Sequence, residues 1–149
     1  MALPLHPSFQ KVLADVEQFG WHVVMVPADA EGPGFAYTIG LTATYGHPEL
    51  LIFGLPLPTM HAILNVAGEL VRAGQKFQAG TRSDAILEGA EVLFGTIRDL
   101  YQDEYLGQAQ RFSGQRRVAA LQLIWPNRAG QFPGLETPVD PDIQPLLDR

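Results

Sequence analysis

Phe9, Val12, Leu13 and Val16 recur at helical spacing behind Pro7, and Gly20 closes the run, which predicts a first helix over residues 7–19. The period then changes. Residues 21–26 are aromatic and β-branched, residues 29–34 gather Gly32, Pro33 and Gly34, and residues 35–41 resume an extended pattern. This predicts two strands joined by a rather long hairpin loop. Tyr45, Gly46, His47 and Pro48 make a second turn, and the apolar run over 49–54 suits a buried strand. Three consecutive strands of this kind predict an antiparallel meander. Pro56 and Pro58 open the clearest helix in the chain, in which Met60, Ile63, Leu64, Ala67, Leu70 and Val71 form one apolar stripe and Gly74 is the stop. Beyond a polar segment over 76–88, residues 91–97 read as a strand, 99–112 as a helix weakened by Gly107, and 118–125 as a last strand. Pro133, Pro138, Pro141 and Pro145 make an irregular tail from about residue 126, with a turn of helix over 143–147.

About five strands with two to three packed helices, opening on adjacent hairpin strands, predict an α+β fold with a predominantly antiparallel sheet. Pattern alone leaves strand order open. No repeat or linker divides the 149 residues, and at this length one core burying roughly 70% of the unfolded surface is expected, hence one domain over 1–149.

Composition narrows the function classes. With 46% apolar and 17% charged residues the chain is too apolar for disorder, while its longest apolar stretches are strand-sized, so no membrane span is expected. Residues 1–7 lack a basic cluster followed by an apolar stretch, and the expected location is the cytoplasm. The absence of cysteine excludes disulfides, thiolate nucleophiles and thiolate metal sites. A net charge of −6, against which only Arg111, Arg116 and Arg117 form a small basic patch, makes nucleic acid an unexpected partner.

The stretches Gly20-Trp21-His22-Val23, Phe35-Ala36-Tyr37-Thr38-Ile39-Gly40-Leu41 and His47-Pro48-Glu49-Leu50, with the later Leu121-Gln122-Leu123-Ile124-Trp125-Pro126 and Gly130-Gln131-Phe132-Pro133, resemble the domain-of-unknown-function family 4262. The resemblance spans most of the chain. It implies a small bacterial protein with a shared fold, and it brings with it no established activity, cofactor or substrate. Asn127 stands where the family pattern has Asp, and Gly134 where it has Trp, so any catalytic role of that carboxylate in relatives does not carry over.

His47, in a Gly-His-Pro turn, is expected as an exposed imidazole able to act as acid, base, donor or ligand, or else as a turn residue bonded to neighbouring backbone. Glu49 follows two residues on, but one His and one Glu lack the further ligands a metal needs, and no metal site is expected. Tyr37 and Thr38 beside Gly40 read as one wall of a pocket or as a packed sheet face. The run Tyr37-Thr38-Ile39-Gly40 is similar to a strand of flavin-reductase-like split barrels, over too short a span to assign a cofactor. Trp125, Asn127 and Arg128 set an aromatic plane, an amide and a guanidinium close together, which suits a planar or anionic small molecule; the structural alternative is a core plug and a solvated loop. Gln122, an amide within an apolar strand, reads as a clamp. His22 reads as a core histidine and His61 as an exposed one. There is no Gly-x-Ser-x-Gly, dinucleotide fingerprint or phosphate loop.

Two functions follow. The first is a non-catalytic protein-interaction or self-association module, with a homodimer or a protein partner. The alternative is a small-molecule (nucleotide- or flavin-like) binding protein or enzyme, whose pocket gathers Tyr37, His47, Trp125 and Arg128 into one concavity. Neither names a reaction or a cofactor.

Overall fold

The computed structural model describes residues 7–149. Helix α1 (Pro7–Phe19) leads through Gly20 into β1 (His22–Val26), which turns back as β2 (Phe35–Ile39). A five-residue helix α2 (Leu41–Tyr45), β3 (Glu49–Phe53) and the long α3 (Leu57–Arg72) follow. The second half runs β4 (Arg82–Leu87), β5 (Ala90–Thr96), a 3₁₀ turn Asp99–Tyr101, α4 (Gln102–Tyr105), α5 (Gly107–Ser113) and β6 (Ala120–Ile124). The six strands form one sheet in the order β1-β2-β3-β6-β5-β4. All neighbours are antiparallel except β3 and β6, which run parallel from Glu49↔Ala120 to Ile52↔Leu123. The α+β class and the opening meander match the sequence reading; the sixth strand and the parallel central pair go beyond it.

Alternation at period two divides the core into two faces of the sheet. Val23, Ala36, Leu50, Ile52, Phe94, Leu121 and Leu123 face α3. Val24, Tyr37, Ile39, Leu51 and Phe53 face the opposite layer, where Val12 of α1, Leu106, Ala109 of α5 and Leu147 of the tail pack. Covered on both sides, β3 has every residue buried, which explains why its sequence is a continuous apolar run rather than an alternating one. Helix α3 buries Met60, Ile63, Leu64, Ala67, Gly68 and Val71, while Leu70 of the expected stripe is half-buried at its margin.

Four local expectations are corrected. The polar segment over 76–88 contains β4, an edge strand that buries only Ile86. Residues 41–45, read as strand end and turn, are helical. The helix expected over 99–112 is interrupted at the fully buried Leu106, whose φ of −116° and ψ of 26° are not helical. No helical turn forms over 143–147; Pro145 has no N–H to give one, and the tail is pinned by amides instead. Gln122 of β6 accepts from Leu147 N and donates to Pro145 O (3.0 and 2.7 Å), and Gln144 brackets Trp125 by accepting from its N–H and donating to its C=O (2.9 and 3.0 Å). The clamp role read for Gln122 is the observed one. Among the described residues no helix is long and apolar enough to cross a membrane.

Candidate interaction site

The polar residues singled out by sequence, Arg128 excepted, are each occupied in holding the fold. The Tyr37 hydroxyl accepts from Gln108 N at 3.2 Å, and burial pushes its pKa up. Thr38, fully buried, accepts from Leu50 N and donates to Glu49 Oε1, both at 2.9 Å. His47 is not exposed: only 4% of it is accessible. Its Nε2 accepts from Phe77 N at 2.9 Å, so the proton resides on Nδ1, which donates to Pro48 O at 2.8 Å. With both nitrogens engaged, the ring ties the turn before β3 to the segment after α3 and has no atom left for chemistry. Trp125 donates from Nε1 to Phe53 O at 2.7 Å. Asn127 shapes its own loop, accepting from Ala129 N and Gln131 N at 3.0 Å. Arg128 is exposed.

Nor do these residues converge. The parallel β3–β6 register places His47 at the edge where both strands begin, while Trp125, Asn127 and Arg128 leave the edge where they end. His47 lines a cleft with Tyr45, Lys76 and Phe77 in which neither Trp125 nor Arg128 takes part. The residues expected to share one concavity are thus set at opposite ends of the central strand pair.

Glu49, weighed in the sequence only as a partner of His47 for a metal, has a structural role that its place as a carboxylate opening an apolar strand alone signals. Its side chain is buried and accepts from Thr38 Oγ1 and from the backbone N–H groups of Gly40, Leu41 and Thr42, at 2.9–3.2 Å. Burial raises its pKa; the four donors pull in the opposite direction without cancelling that rise. Glu49 lies at the inner end of a cleft of about 370 Å³ between α2, α5 and the approach to β6. All its lone-pair directions are used within the protein, so it braces the β2–α2 corner against β3.

Among the described residues, the outer edge of β1 is paired with no further strand. Strand order makes β1 and β4 the two edges, and they differ. β4 carries exposed Arg82 and Asp84, and its register with β5 shifts between Ser83 and Leu87; charge and irregularity are the usual means of blunting an edge. β1, His-Val-Val-Met-Val, pairs with β2 in unbroken register over all five residues and contains no Pro, Lys or acidic residue. Met25 is 45% exposed, and Phe19 at the end of α1 51%.

This edge forms the floor of a groove of about 540 Å³ walled by α1 and α3. Its walls are internally tied. Lys11 and His22 both engage Asp15, at 3.0 and 2.7 Å; burial raises the Asp15 pKa, but the hydrogen bonds and charges of His22 and Lys11 outweigh it and the net shift is downward. Across the groove Trp21 donates to Asn65 Oδ1 at 2.9 Å, and the Arg72 guanidinium lies 4.9 Å over the Trp21 ring, donating to Tyr45 Oη and to Phe19 O and pairing with Glu69. The walls therefore offer no uncompensated charge. Chemically the groove suits an extended, uncharged, apolar strand.

A profile of the family described as Domain of unknown function (DUF4262) matches residues 15–137. No curated protein and no solved structure matches the chain.

Proposed function

The chain belongs to the DUF4262 family, and we propose that this member is a non-catalytic interaction module whose contact surface is the free edge of β1. One observation carries the reading: β1 is an unblunted, apolar edge strand between two helical walls, whereas β4 at the other edge is charged and irregular. An open edge supplies backbone donors and acceptors at fixed spacing, and the walls select side chains at alternate positions. The saturation of His47, Thr38 and Glu49 within the fold supports a non-catalytic role.

The test is an NMR titration of labelled protein with short uncharged peptides of alternating β-branched residues. Amide shifts should concentrate in residues 22–26 and at the Trp21 indole, and Met25→Lys should abolish them. Shifts confined to another surface, or none with any peptide, would sink the reading.

A second reading, small-molecule binding, is supported by the cleft that Glu49 lines, a mostly apolar concavity whose walls include Ala109, Phe112 and Val118. A nucleotide, flavin or metabolite that raises the melting temperature in proportion to the logarithm of its concentration, in a manner lost in Phe112→Ala, would favour it.

A further inference from the structure

Resting on the reading of β1 as the contact surface, the geometry points to a second copy of this chain as its occupant, paired antiparallel about a two-fold axis through Val24. In a two-fold pair whose axis stands perpendicular to the sheet, each residue faces one of the same face on the partner. Centring on Val24 sets His22 opposite Val26 of the other copy, Val23 opposite Met25, and Val24 opposite itself. This register uses all five residues of the strand; moving the centre by one residue in either direction leaves only three of them paired. It also needs no choice of which backbone groups point outward, because either alternate set meets its own equivalent.

The chemistry agrees with the geometry. Val23 lies on the α3 side of the sheet, as Met25 must by alternation, so the half-exposed Met25 gains an aliphatic neighbour across the axis. His22, the one polar residue of the strand, keeps its bond to Asp15 of its own chain. Lys11 offsets Asp15 and Arg72 offsets Glu69 within the groove, so an acidic or basic peptide finds no counter-charge there, whereas β1 is itself the neutral strand that the groove suits. The blunted β4 edge stops further growth: two copies consume both open edges and the assembly closes as a dimer, joining two six-stranded sheets, instead of extending into a fibre. Each copy carries a net charge of −6, so the two repel through solvent, and added salt should tighten the dimer.

The experiment is sedimentation equilibrium on the full chain across a concentration series, combined with single-cysteine cross-linking, which is clean because the chain has no cysteine of its own. The expected result is a monomer–dimer equilibrium that tightens with salt. In Met25→Lys, which places an ammonium against Val23 of the other copy, it should weaken by at least about tenfold with little change in melting. With a short bis-maleimide, Met25→Cys, exposed and diagonally across the axis from its own equivalent, should form a covalent dimer much faster than Val66→Cys, an exposed position on α3. A wild type that stays monomeric at high micromolar concentration overturns the inference. So does a dimer indifferent to Met25→Lys, or a Met25→Cys variant that cross-links no faster than the control. A monomer that still takes up strand-like peptides along residues 22–26 removes only the second copy as occupant; a chain in which β1 engages neither copy nor peptide removes the interaction reading as well.

Discussion

Removing the His47 ring strands two backbone groups at once, the Phe77 N–H and the Pro48 C=O that its two nitrogens satisfy, and opens a void beside Phe77. An unsatisfied buried donor or acceptor costs about 1–3 kcal/mol, so His47→Ala should lose about 2–4 kcal/mol in urea unfolding, while the solvated Arg128→Ala should stay within about 0.5 kcal/mol of wild type. Equal stabilities would mean that the ring does not hold the turn. Glu49 acts through protons as well as geometry. Its folded pKa lies above the ordinary 4.5, so between 4.5 and that raised value the unfolded chain has released a proton that the folded chain still holds. Folding stability attributable to Glu49 therefore falls as pH rises through this window. Glu49→Gln should be destabilised throughout, because its amide NH₂ would meet N–H donors, yet the gap to wild type should narrow with rising pH across that window. A gap that widens would mean that the four donors outweigh burial.

At the scale of elements, α3 is where sequence and structure agree best, because a sixteen-residue amphipathic stripe carries its own evidence of burial. Its docking depends on one position that the stripe does not reveal. A methyl group added at Gly68 would stand 2.6 Å from the Trp21 ring, which Asn65 and Arg72 hold in place. Gly68→Ala should thus lower the melting temperature despite the roughly 1 kcal/mol by which Ala favours a helix, since overpacking costs about 1–3 kcal/mol; a stabilised variant would show that the ring yields freely. The elements missed by pattern have physical reasons for their silence. β4 buries one residue of six, so it has almost no apolar signature to read. Helix α2 is five residues long and is held by the Glu49 carboxylate at its first turn, a contact from another strand that no local window contains. The break at Leu106 likewise belongs to the core into which that side chain is driven.

For the whole molecule, the candidate site was the least legible part, because an open edge is a property of strand order and strand order is decided between segments distant in the chain. The residues that looked reactive, Thr38, His47 and Trp125, looked so because they are polar or aromatic in apolar surroundings; in a core this dense such residues are where backbone groups find their partners. The strand we propose as the contact surface, His22–Val26, reads in the sequence as an ordinary strand. The β3–β6 pairing has a further consequence in time. It joins positions about seventy residues apart, whereas the β1–β2–β3 meander and the β4–β5 hairpin are each closed by short connections. Loop closure over so long a span is slow compared with forming hairpins, so the two halves of the sheet form early and the seam between them zips last. On the ribosome the N-terminal half emerges before β6 has been synthesised, and during that interval β3, every residue of which is buried in the finished fold, has its inner edge open. The nascent chain thus passes through a stage with a hydrophobic strand awaiting its partner, the moment at which a chaperone would have most to hold.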